Sequence, residues 1–164
     1  MPNMYPTMIS DPSDRNRRFT GEVGDTWPQS LKWGYRLLLA AAVLMLVTGL
    51  MLLKSGVPAD IDPEVRGTFR GNLFIVSLGN IVLGLCLAGA ASFFERGSKA
   101  ARRWAAGFAL ATIFLNFAGF FVGVSGTVSF VIVALVAFAM FAAFRPAANA
   151  YVDAQSGDLW RGVK

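Results

Sequence analysis

The chain has 164 residues, of which 55% are hydrophobic and only 15% charged, with a net charge of +5 and no histidine. A soluble domain carries about 25% charged residues, whereas here the charges cluster and leave long stretches bare, as they do in membrane proteins. The missing histidine excludes histidine-ligated haem, HExxH-type zinc sites, histidine proton relays and a Ser/His/Asp triad built from this chain alone.

The pI near 9.9 raises the question of nucleic acid, but no arginine-rich run with interleaved aromatics, zinc spacing or RNA-binding signature accompanies it. Basic residues beside apolar spans have a simpler cause in membrane topology, and no nucleic-acid partner is expected. Cys86, the single cysteine, lies inside an apolar run, where a thiol is a small packing residue.

Residues 1–32 read as a polar N-terminal tail with Pro2, Pro6, Pro12 and Pro28 spaced through it. It is not a secretory signal peptide, because the first apolar run starts too late and is too long. Trp27 and Pro28 introduce a helix start, since proline suits the first turn. Trp33, Tyr35 and Arg36 form an interfacial anchor ahead of the first span, residues 33–53. That length crosses a hydrocarbon layer of ~30 Å at ~1.5 Å per residue.

The following loop contains Asp62-Pro63-Glu64: an aspartate N-cap, a proline at the first helical position and an acid in the first turn. A short helix is expected from Pro63 towards the second span despite Gly67 and Gly71, with Arg66 and Arg70 sharing one face at lipid-phosphate level. The second span covers residues 73–94 and the third 104–124, joined by a basic turn over 95–103. Arg102 and Arg103 of that turn are the other expected lipid-phosphate contacts. The fourth span, 128–144, is near the short limit and forms a tight hairpin with the third. The C-terminal tail, 145–164, is expected to hold a surface helix from Pro146 to about Gln155, stopping near Ser156-Gly157.

Lysine and arginine set the orientation. Arg15, Arg17, Arg18, Lys32, Arg36, Arg96, Lys99, Arg102, Arg103, Arg145, Arg161 and Lys164 fall on one side, and only Lys54, Arg66 and Arg70 on the other. The fold expected is therefore an all-α integral membrane protein: a four-transmembrane-helix antiparallel bundle, N-in and C-in, in the cell membrane.

Close packing and interhelical hydrogen bonds must hold such a bundle in lipid. The third span carries Ala105, Ala109, Thr112, Asn116, Gly119 and Gly123 in steps of four and three, which puts them on one stripe. The second offers Ser77, Asn80, Gly84, Ala88 and Ala91 at similar spacing. The two stripes are expected to face each other, with Asn80 and Asn116 at matching depth. Phe114, Phe117 and Phe121 occupy another face of the third span and, with Trp27, Trp33 and Trp160, are the expected partner or lipid contacts. Phe138, Phe141 and Phe144 make a similar ridge on the fourth.

No Asp, Glu, Lys, Arg or His occurs in residues 37–53, 73–94, 104–124 or 128–144. Embedded ionisable groups mark proton relays, ion pathways and coupled transport. The acids Asp60, Asp62 and Glu64 are accounted for by a capped loop, so no catalytic residue, metal or cofactor is expected. The function expected is that of a non-catalytic accessory or structural subunit of a larger membrane protein complex, with respiratory or other energy-transducing assemblies as plausible hosts. The alternative is a small transporter or channel for a neutral or lipid-like solute, its path lined by Ser77, Asn80, Thr112 and Asn116. A weaker third reading is an envelope-assembly factor working through the outer loop.

Overall fold

The computed structural model describes the backbone of residues 26–161 and the side chains of residues 26–156. Among these there are helices and turns only: α1 (Gln29–Ser55), α2 (Pro63–Ala91), α3 (Lys99–Phe121), α4 (Val128–Ala143) and α5 (Pro146–Arg161). The N-terminal tail up to residue 25 with its three arginines, the side chains of Trp160 and Arg161, and Lys164 lie outside what is described.

Each helix begins and ends for a local reason. Pro28 stands in the N-cap position of α1 without a side-chain cap, and Gly56 ends the helix at φ 66. Asp62 caps α2 by accepting from the Glu64 amide at 3.0 Å, with proline in the first turn. The helix then runs without a break through Gly67 and Gly71 into the apolar segment, so the short helix and the span are one rod of 29 residues. Ser98 caps α3 by accepting from the Ala101 amide at 3.2 Å. That cap starts α3 five residues ahead of the expected span, which makes Lys99, Arg102 and Arg103 helical residues rather than turn residues.

The four long helices close into a ring. α1 packs on α2 and α4, α3 packs on α2 and α4, and the backbones of the diagonal pairs stay apart. Close approaches fix the register. A Cβ on Gly49 would meet the Ser77 carbonyl at 2.7 Å, and one on Gly84 would meet the Ala42 carbonyl at 3.2 Å, so α1 and α2 run in opposite directions. Gly119 against Val76 and Gly79 against Leu115 give the same antiparallel relation for α2 and α3. Across α1 and α4 the contact falls at Gly34, whose missing Cβ leaves 3.1 Å to the Ala139 carbonyl. Small residues at these crossings allow backbones to approach, which is how apolar helices gain dispersion contact where water does not drive them together.

α5 departs from the expected surface helix. It turns 62° away from α4 at Arg145-Pro146 and lies across one end of the bundle, where Ala148, Tyr151 and Val152 are buried with Leu31 and Phe94. Its first two turns therefore complete the core. It also continues to Arg161, past the expected stop. Three helices, α1 to α3, are long and apolar enough to cross a membrane, and the count rises to four if α4 and the first part of α5, bent by 62°, are taken together as one span.

Candidate functional site

The polar residues at mid-bundle converge on one seam between α2 and α3. Ser77, Asn80, Thr112 and Asn116 are all 0% exposed. Asn116 Nδ2 donates to Asn80 Oδ1 at 3.1 Å and to the Thr112 carbonyl at 3.0 Å. Asn80 Nδ2 donates to the Val76 carbonyl at 3.0 Å, and Ser77 Oγ to the Leu73 carbonyl at 2.6 Å. One interhelical amide bond of this kind contributes about 0.6–2 kcal/mol in a bilayer. The Asn80 amide and the Ser77 hydroxyl donate within α2, so a single side-chain bond joins the two rods across the seam. Thr112 Oγ1, Asn116 Oδ1, Ser125 Oγ and Ser129 Oγ are buried without a hydrogen-bond partner.

The packing stripes divide differently from the expectation. On α3, Ala105, Ala109, Thr112, Asn116 and Gly119 form the buried face. Gly119 lies against Val76 of α2 and Ser125 of the following turn. Gly123 does not belong to that face. α3 ends at Phe121, and Gly123 takes φ +72 with open space where its Cβ would be, so it serves the turn. The physical reason is the helix end: beyond it the 3.6-residue period no longer carries a residue to the stripe. On α2, Asn80 meets α3, but Gly84 meets Ala42, Met45 and Leu46 of α1, and Ser77 presents its carbonyl to Gly49 of α1. Ala88 is partly exposed. One stripe on α2 therefore serves two neighbours, because α2 sits at a corner of the ring.

The four arginines assigned to lipid phosphate separate into two kinds. Arg70 and Arg103 are exposed. Arg66 spans back to the preceding loop, donating to the carbonyls of Ala59 and Ile61 at 3.2 Å each. Arg102 is partly buried, donating to Asn149 Oδ1 at 2.7 Å and to the Ala143 carbonyl at 3.3 Å. Ala143 ends α4, where carbonyls lack helical partners and the dipole favours a cation. Arg66 and Arg102 are thus structural ties. That role was hidden in the sequence because Arg102 and Ala143 are 41 residues apart.

The aromatic residues also separate. Trp27 packs edge-on against Tyr35 with centroids 5.5 Å apart. Trp33 is exposed, with the Arg36 guanidinium 5.6 Å over its ring. Phe117 makes an edge contact with Phe130, which meets Phe120 at 4.7 Å, so it belongs partly to the α3–α4 hairpin. Leu110, Phe114 and Phe121 lie along one line of α3 at 70%, 74% and 80% exposure, Phe121 edge-on to Phe120 at 6.1 Å, while the exposed Trp104 stacks on Phe108 at 5.9 Å on a neighbouring face. α3 therefore shows the outside a ridge of bulky apolar groups and the inside a face of small ones.

Among the described residues no group of three or more His, Cys, Asp or Glu side chains is placed to hold a metal ion. Among the described residues, clefts open at the rims of the bundle beside Trp27, Arg66 and Phe138, and none of these is lined by Asn80 or Asn116. An all-helical bundle with three to four apolar rods and bulky apolar side chains outside defines the class, which is that of multi-pass membrane proteins. No protein-family model, curated protein or solved structure matches the chain.

Proposed function

We propose that this protein is a non-catalytic accessory subunit of a larger assembly in the cell membrane, an energy-transducing complex being the kind of host it suits. One observation supports this most: the two amides at span depth, Asn80 and Asn116, bond each other across α2 and α3, while the bulky apolar ridge of α3 faces outward with no cover from the described residues. A stripe of small residues holds the bundle, and the Leu110, Phe114 and Phe121 ridge is the surface offered to a neighbouring transmembrane helix.

The orientation proposed puts both termini in the cytoplasm. Lys32, Arg36, Arg96, Lys99, Arg102, Arg103 and Arg145 all gather at the α5 end, against Lys54, Arg66 and Arg70 at the other. Impermeant thiol labelling of Ser55→Cys and Ser92→Cys in a Cys86→Ala background reports it: labelling from outside at position 55 and not 92 supports the assignment.

Purification in mild detergent, with identification of whatever co-elutes, tests the subunit reading. A stoichiometric companion is expected, and it should be lost from a Phe114→Ala/Phe121→Ala chain that elutes and folds as before. A clean monomer without a companion overturns it. The second reading, a passage for a small neutral solute, draws on the unpartnered Thr112 Oγ1 and Asn116 Oδ1 inside the bundle. Solute flux in liposomes from the pure chain, abolished by Asn116→Leu, would put that reading first.

A further inference from the structure

A lateral groove runs between α1 and α4 at the α5 end, with a volume of about 340 Å³. It arises because Gly34 lets α1 approach Ala139 and Ala143 closely, which leaves the larger side chains on either side to stand as walls. Leu37, Phe138 and Phe141 line its length; both phenylalanines are 65% exposed and face away from the bundle. The lining changes character at one end only. There Arg145 closes the groove with its guanidinium 5.3 Å over the Phe141 ring, and Trp33 on the opposite wall is backed by Arg36, which lines a neighbouring cleft and lies 5.6 Å over the indole. Ser30, in the first turn of α1, brings a buried Oγ that has no hydrogen-bond partner. The first turns of α1 and α5 contain no acid, and α1 has no side-chain cap, so the positive end of its dipole opens on the same spot.

We propose that this groove binds one anionic phospholipid, with an acyl chain along Leu37, Phe138 and Phe141 and the phosphate held by Arg145 and Ser30 Oγ. The occupant follows from the charge pattern and the shape together. A transmembrane peptide would present apolar side chains to both ends of the groove and leave the Arg145 guanidinium facing hydrocarbon. A lipid matches an apolar trough that ends in a cation and an exposed tryptophan at the polar boundary. The volume falls in the ~300–1,000 Å³ range of small-molecule clefts. The site is distinct from the α3 ridge, so it stands whether or not a protein partner is found there.

Native mass spectrometry of the full chain, delipidated in detergent and titrated with phosphatidylglycerol or phosphatidylcholine of identical acyl chains, tests it. Phosphatidylglycerol should be retained preferentially, and Arg145→Gln should cut that preference about fivefold, the weight of one cation near a lipid surface. Lys54→Gln, at the other end of α1, should leave it unchanged. Ala142→Leu fills the groove without touching a charge and should lower retention of both lipids. Arg145 is exposed, so its variant keeps the fold and the test holds even if the filled groove does not. Equal retention of the two lipids overturns the proposal. So does an unchanged preference in Arg145→Gln, or a photo-reactive residue at Phe138 that cross-links a polypeptide instead of phosphatidylglycerol.

Discussion

The two ends of the bundle are built on different principles. At the α5 end, segments far apart in the chain are tied together. Tyr151 Oη donates to the Glu95 carbonyl at 2.8 Å, Ser156 Oγ to the Gly97 carbonyl at 2.7 Å, and Lys99 pairs with Asp153 at 2.9 Å. Phe94, Ala148 and Val152 are buried beneath these bonds. At the opposite end the ties are short-range: Asp62 caps its own helix and Arg66 holds the loop just before it. Only a small cluster of Leu73, Val76 and Val124 is buried there. One end is closed by tertiary structure, the other by local rules.

Two glycines make the contrast measurable. Gly97 and Gly56 have nearly the same backbone, φ +62 and φ +66, but a Cβ on Gly97 would lie 2.5 Å from Gln155 Cβ, whereas one on Gly56 meets nothing within 4 Å. Gly97→Ala should therefore cost about 2–4 kcal/mol, left-handed strain plus overpacking against α5. Gly56→Ala should cost about 1–2 kcal/mol, the strain alone. Unfolding by a denaturing detergent, followed by helicity, reads both. Equal losses would mean that α5 is not seated on the turn.

Single hydrogen bonds separate the ends less widely. Asp62→Ala removes the α2 cap and should cost about 0.5–2 kcal/mol. Tyr151→Phe removes the bond to Glu95 and should cost about 0.5–1.5 kcal/mol. Their location distinguishes them better than their size. Hydrogen exchange should rise only in the first turn of α2 for the former, but across both α5 and the 92–98 turn for the latter. The smallest effect expected is that of Asp153→Asn. The Lys99–Asp153 pair is largely solvent-exposed, and pairs of that kind contribute about 0.2–1 kcal/mol, less in high salt.

The same contrast explains how much was legible beforehand. The α2 start was readable at Asp62-Pro63-Glu64 because capping involves only neighbouring residues. The seam residues Thr112 and Asn116 stood out because polar groups at helical spacing in an apolar run need partners. The α5 end was less readable. Ala148, Tyr151 and Val152 form a face three and four residues apart, and that spacing was a signal of burial that the polar composition of the tail obscured.

By itself the sequence determined where the helices run and that they suit an apolar surround, because caps, breakers and the absence of charge act within a few residues of where they are written. Tertiary structure alone decided which neighbour each helix takes. It assigned Gly84 to α1 and Asn80 to α3, released Gly123 to a turn, and drew Arg102 onto the end of α4. The reason is geometric. A stripe of small residues specifies that a helix will be closely approached, while the register of the whole ring decides by which one.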